Sequence, residues 1–246
     1  RDGGLVRLKE KLHLSNVPHH IECFDISIFQ GTEPVASCVA FEGGSPNRRR
    51  YRQYKIKTVE GTDDYAMMRE VLTRRLKSGL TKGDLPQLIV VDGGKGQLNV
   101  ARTVLDDLKI DGLDIVSLAK ARVLSGINDA EGGAVRTHER VFVPGIREPI
   151  ILRSHTHEYF LMTQIRDEAH RFAINFHRKR RVKRNFTSIL DDIPGIGPGR
   201  RKALLKHYGS LKAIRLASCE SIAELDGFSM TLAETVVQHL SQGRDD

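Results

Sequence analysis

Cysteine is scarce in this sequence: Cys23, Cys38 and Cys219 are the only three in 246 residues, and they lack the paired spacing of metal ligands. Cys23 and Cys38 fall inside strand-like runs and read as small core residues, consistent with a reducing cytoplasm. No apolar stretch reaches the roughly 18 residues that a membrane helix needs, and no signal peptide opens the chain. A membrane role is therefore not expected. The first residue is not methionine, and the opening RDGGLVRLKEKLHL reads as a fragment of a longer protein, with residues 1–18 as an N-terminal leader.

Basic residues, in contrast, are abundant. Lys and Arg number 39 against 31 Asp and Glu, a net charge of +8, which favours a polyanionic partner. A hydrophobic fraction of 39% and a charged fraction of 28% are ordinary for a globular protein, and the length suits one large domain plus a small one.

Three strand-like segments come first: HHIECFDIS (19–27), PVASCVAFE (34–42) and RRRYRQYKIKTV (48–59), the last with one cationic face. The turns QGT (30–32) and GGSPN (43–47) separate them, as in an antiparallel meander. TDDYAMMREVLTRRLKSG (62–79) reads as a helix with Asp63 as candidate N-cap. A buried strand (85–92), a helix (96–108) and another strand (114–121) follow, and 132–145 resembles a hairpin. From about Glu158 to His177, Met162, Ile165, Ala169, Phe172 and Phe176 recur at 3- and 4-residue steps, the mark of a long amphipathic helix. This order matches a ribonuclease H-like mixed α/β sheet with flanking helices, over residues 19–178. HRKRRVKRN (177–185) is a dense basic run that marks a linker, placed at 179–187, and residues 188–246 read as a small all-α domain.

VVDGGKGQ (90–97) has the outline of a nucleotide-binding loop: strand, glycine turn, lysine, helix. A Walker A loop, however, requires GxxxxGK followed by Ser or Thr, and here Gly96 follows Lys95. With no hydroxyl for a magnesium ion, that function is excluded. Asp92 then becomes the centre of the motif, as a strand-end cap or as a metal ligand with Lys95 reaching a bound phosphate. Asp25 strengthens the second option, because an unpaired charge between Phe24 and Ile26 in a strand is expensive. In a ribonuclease H-like layout the first and fourth strands are neighbours, so both carboxylates would face one divalent ion, and hard oxygen donors suit Mg²⁺ or Mn²⁺. On the late helix, Arg166 and His170 form an i, i+4 pair. The histidine reads as a general base, a metal ligand or a packing residue.

Near the end, IPGIGPGRRKALLKHYGSLKAI (193–214) and ELDGFSMTLAETVVQHL (224–240) repeat one pattern of apolar residue, glycine turn and amphipathic helix. It has the form of a helix-hairpin-helix pair. Gly195 and Gly197 would leave backbone N–H groups open at a helix N-terminus for a DNA phosphate, with Arg200, Arg201 and Lys202 in the first turns. The second unit keeps Gly227 but has Ser229 in place of the second glycine. A protein-binding helical pair is the competing role.

ECFDIS with QGT, TDDYAMM, VVDGGKGQ, SLAK, RDEAHRFA with FHRKRR, and the closing hairpins follow one another in the order in which they occur in the UvrC family. The chain resembles the C-terminal half of those bacterial excision-repair nucleases. The resemblance implies a divalent-metal-dependent endonuclease that cuts damaged double-stranded DNA 5′ to a lesion in nucleotide excision repair, in the cytoplasm. UvrB would be its partner, with UvrA upstream. It also implies a catalytic Asp25, Asp92 and His170, the same three holding the metal, with His170 as base or ligand. Asp64 matches a further acidic position, although a helix-start aspartate also has a capping explanation. Lys95 and Arg166 would assist at the phosphate. Ile28 stands where many members have histidine. The family's N-terminal nuclease domain and UvrB-binding segment have no counterpart in these residues. The rival functions are a non-catalytic DNA-binding scaffold and a junction resolvase or transposase-like nuclease. The latter would normally end its acidic set in Asp or Glu and lack the hairpin pair.

Overall fold

The computed structural model describes residues 2–27, 34–59, 61–119, 123–128, 134–136 and 139–242, with side chains outside 2, 123–136, 176–186 and 242. Ile28 and the QGT turn lie outside the described residues. Two compact units are present, 1–175 and 176–246.

In the first unit α1 (Asp2–Leu12) precedes β1 (His20–Ser27), β2 (Val35–Glu42), β3 (Ser45–Pro46), a 3-10 turn (Arg48–Arg50) and β4 (Arg52–Lys55). Then come α2 (Asp64–Lys82), β5 (Leu88–Asp92), α3 (Lys95–Leu108), β6 (Asp114–Ala119), β7 (Val123–Asn128), β8 (Ala134–Arg136), β9 (Glu139–Phe142), β10 (Ile150–Leu152) and α4 (His157–Asp191). The main sheet has the order β10-β9-β6-β5-β1-β2-β3, with β4 also paired to β2. β1, β5 and β6 are parallel, while β1 to β2 and β2 to β4 are antiparallel. This is the mixed sheet with flanking helices expected of a ribonuclease H-like fold.

Strand alternation divides the core in two. On one face Ile21, Cys23, Leu88, Val90, Val116 and Leu118 pack against Leu5, Leu8 and Leu12 of α1 and Met162, Ile165 and Ala169 of α4. On the other, Phe24, Ile89, Val91 and Ile115 pack against Met68, Val71, Leu72 and Leu76 of α2 and Leu98, Ala101, Val104 and Leu105 of α3. Asp63 caps α2, its Oδ1 accepting from the N–H groups of Tyr65 and Ala66 at 3.0 Å. Cys23 and Cys38 are buried and unbridged.

A charged pair fastens α2 to β1. Glu22, only 2% exposed, accepts from Arg75 Nε at 2.9 Å and from its terminal nitrogen at 2.6 Å, and His20 Nε2 lies 3.3 Å away. Burial pushes the Glu22 carboxyl up, but the hydrogen bonds from His20 and Arg75 outweigh it and leave the pKa below its ordinary value.

Four segments differ from expectation. Residues 2–12 are no loose leader: Leu5, Leu8 and Leu12, spaced by three and four, form a helical stripe with 0% exposure. The basic run 179–187 lies inside α4, as Lys and Arg are good helix formers and no Gly or Pro interrupts them. Of 48–59 only Arg52–Lys55 is strand, since the arginines before it close a 3-10 turn. Within 132–145 the described residues form no self-paired hairpin. β8 pairs with β7, whereas β9 sits between β6 and β10, where Val141 and Phe142 are buried on opposite faces.

The second unit holds α5 (Pro198–Tyr208), α6 (Leu211–Leu216), α7 (Cys219–Ala223) and α8 (Met230–Gln242). Its core includes Leu190, Ile193, Ile196, Leu204, Ile214, Ile222, Ala233, Val236 and Leu240. Among the described residues, no helix is long and apolar enough to cross a membrane.

Candidate active site

β1 and β5 run parallel with Phe24 opposite Val91. The next residue on each strand is an aspartate, so Asp25, inside β1, and Asp92, the last residue of β5, lie at one level on neighbouring strands. Cys23 and Val90, two residues earlier, belong to the α4-side core, so by alternation both carboxylates belong to that face. Asp25 is 8% exposed. Burial, then the charges of Asp92 and Asp25, push the Cys23 thiol well up, and Arg166 pulls against them, so all three charges act on one buried group.

α4 supplies the imidazole. Met162, Ile165 and Ala169 fix one stripe of the helix in the core, and His170 follows on its edge. His170 Nδ1 lies 3.7 Å from Asp25 Oδ2, with the imidazole 54% exposed and so open to a substrate. Arg166, one turn earlier, is already engaged: it donates to Glu139 at 2.5 Å and to Asp167 at 3.0 and 3.2 Å. Burial alone disfavours its cation, and the hydrogen bonds to Glu139 and Asp167 more than offset this and raise its pKa. Glu139, 5% exposed at the start of β9, was not among the residues singled out from sequence. Nothing in the local sequence ERVF marks it; its role is visible only beside Arg166.

VVDGGKGQ forms the strand-to-helix turn beside Asp92. Gly93 has φ of 143°, and a Cβ there would lie 2.5 Å from Gln97, so glycine is needed on both counts. Its N–H donates to the Leu118 carbonyl at 3.0 Å, tying the turn to β6. Lys95 is exposed, with Nζ 5.8 Å from the Phe142 ring centre. Gly96 lies against the Tyr65 ring, which brings the first turn of α2 to the start of α3. Asp64, exposed on that turn, is not the cap; Asp63 is.

Two carboxylates and an imidazole are suitable donors for Mg²⁺ or Mn²⁺. Among the described residues no three His, Cys, Asp or Glu converge into a metal-holding group. The two carboxylates supply hard oxygen donors of the kind that divalent cations take.

In the second unit the two hairpins match 32 residues apart. Gly195 and Gly227 have φ of 86° and 84°, Ile196 N–H bonds Ile193 O, and Phe228 N–H bonds Leu225 O. Ser229 differs from Gly197 in capping its helix, accepting from Leu232 N–H at 3.3 Å. Arg200 donates to Gly227 O at 2.7 Å and to Gly195 O at 2.8 Å, so it links the hairpins. Arg201 pairs with Asp191. Lys202 is exposed.

Residues 9–174 match the family described as UvrC RNAse H endonuclease domain, and residues 187–242 match the SAM-like Helix-hairpin-helix tandem. UvrABC system protein C of Geobacter metallireducens is 50% identical over 97% of this chain and 38% of its own length. That of Protochlamydia amoebophila is 48% identical over 99% of this chain and 39% of its own. Human endonuclease V is similar over 72% of this chain and 96% of its own, at 13% identity and a TM-score of 0.38. The chain thus spans about two-fifths of the length of the curated relatives it matches. With a family match over more than half its length, the chain belongs to the UvrC family.

Proposed function

We propose that this chain is the nuclease half of a nucleotide excision repair enzyme, cutting a DNA phosphodiester 5′ to a lesion and leaving a 3′-hydroxyl and a 5′-phosphate. The observation that carries it is the level placement of Asp25 and Asp92 on neighbouring parallel strands, with His170 3.7 Å from Asp25. Asp25 and Asp92 would hold a Mg²⁺ or Mn²⁺ ion, which polarises a phosphate oxygen and lowers the pKa of bound water. His170, exposed beside Asp25, accepts the proton of the attacking water. This assigns His170 as base rather than as third ligand. Lys95, exposed at the helix start after Asp92, supplies a cation to the phosphate. Arg166, held by Glu139 and Asp167, positions α4 and with it His170. Asp64, in the first turn of α2, would act on the same substrate.

The second unit would grip the DNA backbone through the glycine turns at Gly195, Gly197 and Gly227 and through Lys202. Arg200 and Arg201, engaged within the unit, would support that grip. The partners would be damaged double-stranded DNA and UvrB, with UvrA acting upstream, in the cytoplasm.

The test is incision of UvrB-bound damaged DNA already nicked on the 3′ side, by wild type, Asp25→Ala and His170→Ala, with Mg²⁺ or Mn²⁺ present. Incision by wild type alone is expected. Equal incision by all three would overturn the site. No incision by any, with DNA binding intact in all, would favour a non-catalytic scaffold once the full-length relative carrying the same substitutions behaved alike.

A further inference from the structure

The 3-10 turn Arg48–Arg50 takes no part in the site described above, yet it is held from both ends. Asn47 Oδ1 accepts from Arg49 N–H at 3.2 Å, while Asn47 Nδ2 donates to Glu42 at 2.8 Å. Arg52 closes the other end, donating to the carbonyls of Arg49 and Tyr51, each at 2.8 Å. Arg50 is neutralised by Glu42 and Asp84, each at 2.6 Å. Arg48 and Arg49 differ from it. Both are exposed, and among the described residues neither makes an ion pair with a carboxylate.

Tyr51 joins this turn to the helix that carries His170. Its hydroxyl donates to Glu168 at 2.8 Å, and its ring meets Phe172 edge-on at 5.1 Å. Arg171 in turn donates to Glu168 at 2.5 and 2.7 Å, so the buried end of the connection is neutral. Glu168 and His170 are two residues apart on α4. The turn is therefore tied, through Tyr51 and Glu168, to the same helix that presents His170 to Asp25. Arginines left to solvation alone need no such framework. Arginines set in a fixed turn bind phosphate with little ordering cost, and a guanidinium suits phosphate oxygens in a two-point contact.

We propose that Arg48 and Arg49 form a phosphate-binding shelf that holds the DNA backbone to one side of the scissile phosphate. The shelf rests on the nuclease reading above for its substrate, and its test does not depend on cutting.

Binding of a labelled DNA duplex to the 246-residue chain is measured across a range of NaCl concentrations in EDTA. The pair Arg48→Ala/Arg49→Ala is expected to lower the slope of log affinity against log salt by about two, roughly one for each phosphate that is no longer neutralised. Arg48→Lys/Arg49→Lys keeps the charges and is expected to restore the wild-type slope. The bonds from Asn47 and Arg52 reach only the backbone of Arg49, so both pairs keep them, and equal thermal midpoints check this. An unchanged slope in the alanine pair overturns the shelf. A slope lowered alike in both pairs, the mark of a disturbed fold, overturns it as well. Failure of wild type to incise counts against the nuclease reading alone, because no metal or cleavage enters this experiment.

Discussion

Glu22 is a carboxylate at 2% exposure held by an arginine fork. Removing one partner of such a buried pair leaves the other charge uncompensated, at a cost of about 3–5 kcal/mol. Glu22→Ala should lose that much in urea unfolding. The pH dependence has a definite sign. The folded pKa is below the ordinary value, so the pair's stabilisation is present above the unfolded pKa of about 4.3 and is lost as pH falls through the folded value. Wild type should therefore lose stability on acidification below about pH 4.3, and Glu22→Gln should lose less of its own over that interval. Urea midpoints across about pH 3–7 would settle it. Asp25 and Asp92 were legible in the sequence because a charge inside or at the tip of an apolar strand contradicts its surroundings. Glu139 was not, since nothing local distinguishes an acidic strand start from a solvated one until the distant Arg166 is seen beside it. Arg166 illustrates the same limit: an arginine near a histidine suggests a phosphate contact, while the fold gives its donors to Glu139 and Asp167.

Arg200 binds elements together rather than standing out to solvent. Its bonds to Gly195 O and Gly227 O join two turns that the sequence repeats but does not connect. Arg200→Ala should cost about 1 kcal/mol by differential scanning calorimetry, modest because the group is exposed. It should weaken DNA binding with the salt slope kept, whereas Lys202→Ala should reduce the slope by about one. A lowered slope for Arg200→Ala would instead make it a phosphate contact. The elements most legible beforehand were the long ones with strong periodicity: α4's stripe at Met162, Ile165 and Ala169, and the strand before Asp92. α1 was missed because an 11-residue helix beginning with Gly3 and Gly4 has weak propensity, and only packing of Leu5, Leu8 and Leu12 on the sheet makes it persist. The basic run within α4 was taken for a break since its charge looked like a linker, although its residue types favour helix.

At the scale of the whole molecule, a net charge of +8 is consistent with the proposed DNA substrate. His170→Ala should slow incision by about 10²–10⁴, the usual worth of a positioned base, with duplex affinity in EDTA unchanged. A parallel loss of affinity would make the histidine a binding group. The neighbouring of β1 and β5 followed from the ribonuclease H-like layout, whereas the place of β9 between β6 and β10 was read as part of a hairpin. The register that sets Asp25 level with Asp92 was not visible in the sequence either, because register depends on packing along the whole strand. On that register depends the claim that Asp25 and Asp92 serve one ion. Titration of Mn²⁺ followed by electron paramagnetic resonance, on wild type, Asp25→Asn and Asp92→Asn, tests it directly. One site in wild type, lost in each single variant, is the predicted result; a site that survives intact in either variant would contradict it.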